Sequence, residues 1–196
     1  HKAIRRQRQM CIRDRFITAN TFGANSLKYD NVDELVKAGV ALAKKAGKKV
    51  ALDLGPTGKL LKPMGDLEFE KAVELFGEVV RAGKDGSDVA IIETMSDMYE
   101  LKAAVLAVKE NSDLPIITSM IFDESGRLLT GGDVKSAVAM LEGLRVDAIG
   151  FNCGLGPKQM IPLVKELREC TSLPIIVMPN AGLPESVDAV SYTHLR

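Results

Sequence analysis

Between residues 16 and 178, short runs dense in Val and Ile alternate with longer stretches whose apolar residues recur every three or four positions. The runs at 16–20, 50–54, 89–93, 116–122, 148–152 and 174–178 are apolar over most of their length, which predicts strands buried on both faces. The stretches at 32–46, 67–82, 98–111, 134–144 and 158–170 predict amphipathic helices between them. In the third of these, Leu101, Ala104, Val105 and Val108 have the spacing of a buried helical stripe. Asn31 followed by Glu34 predicts a capping box, and Ala46-Gly47 predicts a helix stop before the next strand.

Strand–helix units that recur about every 26–40 residues imply βαβ crossovers and a parallel sheet. An open doubly wound sheet fits that alternation. A TIM (β/α)8 barrel fits better, because every predicted strand ends in polar or small residues, as loops converging on one mouth would. These ends read Asn20-Thr21, Asp53-Leu54-Gly55, Glu93-Thr94, Asp123, Asn152-Cys153 and Pro179-Asn180. A complete barrel needs eight strands and about 250 residues. The expectation is therefore an incomplete α/β barrel of about six βα units, with the first and last strands missing. It would occupy 16–184, between a basic tail at 1–15 and a second tail at 185–196. Residues 10–15 (MCIRDR) and 191–196 (SYTHLR) resemble translated sequencing-adapter read-through, so a gene fragment with foreign ends is expected.

Charge narrows the class. The chain has 196 residues and no net charge, but residues 1–15 hold six Lys or Arg against Asp14 alone. The body is mildly acidic, with no basic face for nucleic acid and no apolar run long enough to predict a membrane span. Its three cysteines, Cys11, Cys153 and Cys170, are far apart, which suits a reducing, cytoplasmic setting. Both histidines, His1 and His194, lie in the tails. Chemistry must then come from a thiol, carboxylates, amides and hydroxyls.

Six short motifs resemble those of the homocysteine S-methyltransferases, in order and spacing. They are Asn20-Thr21-Phe22-Gly23-Ala24-Asn25, Gly55-Pro56-Thr57, Ile92-Glu93-Thr94, Ser125-Gly126-Arg127, Asn152-Cys153-Gly154 and Pro179-Asn180-Ala181-Gly182-Leu183-Pro184. Singly each is weak; in register over 16–184 they are specific, and they look more like the cobalamin-dependent branch than the betaine-dependent one. The resemblance implies a zinc-dependent transfer of a methyl group to homocysteine, giving methionine. The donor would be methylcobalamin on another domain, and the partners would be cobalamin- and folate-binding domains of a parent enzyme. It implies Cys153 as a zinc ligand, Glu93 at the substrate ammonium, Asn180 near the metal, and Asn20 and Thr21 lining the mouth with Asn25. The family's Gly-Gly-Cys-Cys pair and its Asp-Gly-Ala-Met-Gly-Thr segment do not occur in this sequence.

Each residue also has a plainer reading. Cys153 could be a buried, inert thiol; Glu93 could pair with Arg or Lys or cap a helix; Asn180 could serve a turn. Asn152 reads as a loop-orienting residue and Asp53 as a cap. Gly55-Pro56-Thr57-Gly58-Lys59 lacks the spacing of a phosphate-binding loop and reads as a barrel loop. Three further functions fit less of the pattern or compete with it. One is a betaine- or S-methylmethionine-type methyltransferase. Another is a lyase or aldolase barrel, for which Lys48 and Lys49 lie at the wrong end of their strand. The last is a non-catalytic fragment unable to assemble the zinc site.

Overall fold

A computed structural model describes residues 16–180, together with the backbone at 185–187 and 190–192. Six strands form one parallel sheet: β1 (Phe16–Thr18), β2 (Lys49–Leu54), β3 (Val89–Met95), β4 (Ile116–Met120), β5 (Ala148–Asn152) and β6 (Ile175–Met178). They pair strictly in chain order. A doubly wound sheet would reverse its order partway, so the sequential order settles the architecture as part of a (β/α)8 barrel.

The helices are α1 (Val32–Lys44), α2 (Phe69–Gly83), α3 (Met98–Asn111), α4 (Val134–Gly143) and α5 (Pro157–Cys170). They cover one face of the sheet. The main core lies there, where Leu52, Leu54, Ile92, Met120, Ile149 and Phe151 meet Val36, Leu75, Val80, Leu101, Val105 and Leu141. Burying each large aliphatic side chain contributes roughly 2 kcal/mol. Alternate strand residues turn to the other, concave face. There Ala51, Val89 and Ile91 form a second small cluster with Ile117 and Met178.

The predicted elements match the observed ones to within a few residues, with instructive differences. Gly47 stops α1 as expected: its φ of 67° suits glycine, and its N–H donates to the Lys44 carbonyl at 3.0 Å. The Asn31 capping box does not form, because the Asn31 side chain makes no cap hydrogen bond. The side-chain caps are Asp97, which accepts from Tyr99 N–H at 2.8 Å, and Asp133, which accepts from Ser136 N–H at 2.9 Å. β3 runs past Glu93 to Met95 through a register shift, whereas β4 stops at Met120. A short antiparallel pair, β7 (Glu185–Val187) with β8 (Val190–Tyr192), lies where the sequence predicts only a tail. The basic segment 1–15, with Cys11, lies outside the described residues, as do His1 and His194. Among the described residues, no helix is long and apolar enough to cross a membrane.

Candidate functional site

The C-terminal ends of the strands carry the polar residues of the concave face. Strand alternation places Asn20 after β1, Asp53 on β2, Glu93 on β3, Ser119 on β4 and Asn152 on β5, above the apolar layer of Ala51, Val89, Ile91 and Ile117. Cys153 follows at once, and Asn180 comes two residues after β6. Polar residues from six separate segments thus reach one rim because each segment ends a strand of the same parallel sheet; positions 181–184 of the last motif lie outside the described residues.

Asn152 holds this rim together. It is buried, and its Oδ1 accepts from the Ser119 hydroxyl at 2.7 Å and from the Thr94 N–H at 3.0 Å. Its Nδ2 donates to Thr94 Oγ1 at 2.7 Å and to Cys153 Sγ at 3.3 Å. One amide therefore uses both its ends to tie β3, β4 and β5. Thr94 and Cys153 have φ of 67° and 54°, the left-handed region that non-glycine residues rarely enter. Such conformations cost of order 1–3 kcal/mol and persist only where neighbours enforce them. Asn152→Ala should strip Thr94 N–H and Ser119 Oγ of their partner and cost about 3 kcal/mol, read by urea denaturation. A loss below about 0.5 kcal/mol would mean that the rim does not depend on the amide.

Cys153 is exposed at the rim, unlike the buried thiol of the plainer reading, and is a free thiol. Its N–H donates to the Met178 carbonyl at 3.1 Å, fixing it to β6. Asn180 is half-buried, and its N–H donates to the Leu155 carbonyl at 3.1 Å. Asn20 is exposed. Thr21 is buried, and its hydroxyl bonds the Asp53 backbone, donating to the carbonyl at 2.8 Å and accepting from the N–H at 3.2 Å. Asn25 is buried and folds back on its own loop, its Oδ1 accepting from Leu27 N–H at 3.2 Å.

Two carboxyl groups share the concave face, and among the described residues neither has a cation in an ion pair with it. Glu93 is half-buried, and burial pushes its carboxyl above the ordinary range. Asp53 is only 5% exposed and does not cap anything; among the described residues its Oδ1 has no hydrogen-bond partner. Burial, reinforced by the nearby Glu93 charge, raises it to about 8. A sequence alone cannot separate this from a capping Asp, because the isolation is a property of neighbouring strands. A third buried acid, Glu100 on α3, has a different role. It accepts from Thr57 N–H at 2.7 Å and Thr57 Oγ1 at 2.6 Å, locking the 55–59 loop against the helix and using up that loop's Thr57 donor. A surface hollow lined by Phe16, Gly47, Lys48, Lys49 and Asp88 lies at the opposite end of the strands, away from this rim.

A metal is a separate question. Cys170 ends α5 in the outer layer, leaving Cys153 as the one thiol at the rim among the described residues. Among the described residues there is no group of three His, Cys, Asp or Glu able to hold a metal ion.

Methionine synthase of Mycobacterium tuberculosis is 30% identical over 189 residues, covering 86% of this chain and 16% of that protein. The Mycobacterium leprae methionine synthase is 29% identical over 189 residues with the same coverage. The chain thus spans 16% of the length of the curated relatives it matches. Among solved structures, the homocysteine methyltransferase MmuM of Escherichia coli in its metallated form superposes with a TM-score of 0.77 at 21% identity, over 88% of this chain and 69% of that one. Its apo form gives 0.73 at 22% identity, over 87% and 67%. At that identity the likeness bears on the fold, and it agrees with six parallel strands of a partial barrel. The family model of the homocysteine S-methyltransferases matches residues 13–194, nearly the whole length, and the chain belongs to that family.

Proposed function

We propose that the concave rim binds homocysteine, with Glu93 at its ammonium group and Cys153 at the sulfur end, and that the bound thiol accepts a methyl group to give methionine. The observation that carries this is the single amide of Asn152. It bonds the residue after Glu93 on one side and Cys153 on the other, so the ends of β3 and β5 that carry the acid and the thiol are tied together across β4. Effective catalysis of a group transfer begins with such positioning. Asn20 and Asn180 supply further polar groups at the rim, and Thr21 supports Asp53 from behind.

The chemistry is an alkyl transfer. The sulfur forms a bond to the methyl carbon while the bond from that carbon to its donor breaks, the pair leaving with the donor and the thiol proton going to solvent. A free thiol has a pKa of about 8.5 and is mostly protonated at neutral pH. Zinc would supply the missing acidity, and a catalytic zinc takes about three protein ligands. Cys153 is one fitting donor, but the described residues do not complete the set. This chain's own contribution is therefore to bind and orient the amino acid. Methylcobalamin on another domain is the proposed donor, supported by likeness to methionine synthases that are several times longer.

Calorimetry of homocysteine with the full chain tests the reading. Glu93→Gln should weaken binding at least tenfold, since it removes a charge-assisted contact. Unchanged affinity in that variant would remove Glu93 from the site. Elemental analysis with Cys153→Ser tests the thiol separately: bound zinc, if present, should be lost with the sulfur.

A further inference from the structure

Asp53 Oδ1 is the one buried side-chain nitrogen or oxygen left without a hydrogen-bond partner among the described residues. A buried polar group without a partner is expensive, and sites that tolerate one commonly receive the missing partner from a ligand. Asp53 faces the concave side of β2, opposite Ile91 in register, so Glu93 is the next inward position along β3 and its diagonal neighbour. On the other flank, β1 brings Thr18 and Asn20 to that face, neither of them charged. The helix side of β2 offers only Val50, Leu52 and Leu54. The ion pairs of the described residues, such as Lys59–Asp66 and Arg127–Asp133, involve neither Asp53 nor Glu93. Among the described residues, the charge that acts on Asp53 is that of Glu93.

We propose that Asp53 is the second carboxyl of the substrate-amine subsite, so that Asp53 and Glu93 together hold the ammonium group of an α-amino acid and select it over the same molecule without its amine. This rests on the reading of the rim as a homocysteine site. An ammonium group has three donors and suits two acceptors that converge from adjacent strands better than one. A buried carboxyl beside a half-buried one does not ionise readily, and at neutral pH the free pair retains a proton on Asp53. An arriving ammonium replaces that proton, which leaves to solvent. Affinity for the amine then rises with pH from 6 to 8, by up to about tenfold per unit.

L-Methionine is a suitable probe, because it carries the amine but no thiol to titrate, and 4-(methylthio)butanoate is the same molecule without the amine. Calorimetry of both on the full chain, in buffers of different ionisation enthalpy, should show three things. Wild type should prefer methionine, release roughly one proton per methionine bound at pH 7, and bind it more tightly at pH 8 than at pH 6. Asp53→Asn should lower the preference about tenfold and abolish most of the proton release, with 4-(methylthio)butanoate binding unchanged. A purely structural Asp53 would alter stability but leave the preference and the proton count in place, and that result overturns the proposal. Wild type that binds homocysteine and methionine without releasing a proton also overturns it, while the homocysteine reading stands. Wild type that binds neither amino acid sinks that reading and this inference together.

Discussion

Asp53→Asn is expected to stabilise the folded chain at neutral pH by about 2 kcal/mol and to flatten its stability between pH 4 and pH 8. The folded carboxyl is raised from 3.8 to about 8, first by burial and second by Glu93. The folded state therefore holds a proton that the unfolded chain has already released. Its contribution is fully present below pH 3.8 and is lost as pH rises towards about 8, so wild-type stability should fall across that window. Each unit of separation corresponds to about 1.4 kcal/mol, and local relaxation and water entry should cut the full effect to about half. Asn cannot ionise and removes this slope. Urea denaturation at pH 5, 7 and 8.5 reads both variants. Wild-type stability that climbs with pH over this range, with no gain in Asp53→Asn, would mean that Asp53 is solvated or paired with a cation.

Gly150→Ala should cost about 3 kcal/mol and free β6 from the sheet. Gly150 lies on β5, and a methyl group there would collide with the Ile176 carbonyl oxygen and with Ile176 Cγ2. A side chain can swing aside, but a strand carbonyl cannot, so β6 must move. That movement breaks the bonds from Ile149 N–H to Pro174 O and from Cys153 N–H to Met178 O, both 3.1 Å. Each is worth about 1 kcal/mol net. The Ile149 and Cys153 amides should lose hydrogen-exchange protection together. Gly143→Ala is the control: it sits at the end of α4 with nothing within 4 Å, and should be neutral or stabilising by up to about 1 kcal/mol. Equal stability of the two variants would show that β6 is not seated as closely as described.

The strands and helices were legible because a parallel sheet covered by helices demands continuous apolar runs between 3.6-period stripes. Strand order was legible only as a preference, since the same alternation suits a doubly wound sheet. Of the rim, Glu93 and Cys153 stood out as polar residues closing apolar runs. Asp53 occupies an equivalent position but reads as a cap, because its lack of partners depends on what β1 and β3 bring beside it. Asn152 was legible as an orienting residue, whereas its partners Thr94 and Ser119, 58 and 33 residues away in sequence, were not. Asn31 fails as a cap although its local pattern fits, while Asp97 and Asp133 do the capping. Short-range signatures name a residue's options, and long-range pairing chooses among them.

The Asn152 amide also determines what kind of quantity the distance between Glu93 and Cys153 is. The Glu93 side chain can still turn, but the backbone ends that carry the two residues are bolted to one planar group with both its ends engaged. The spacing of those two strand ends is a dimension of the sheet, like the pitch of a thread, and not a choice of rotamers. Replacing Glu93 or Cys153 changes which chemistry stands at each end of that interval and leaves its length alone. Replacing Asn152 does the reverse, keeping both side chains while letting the gauge between their strand ends drift.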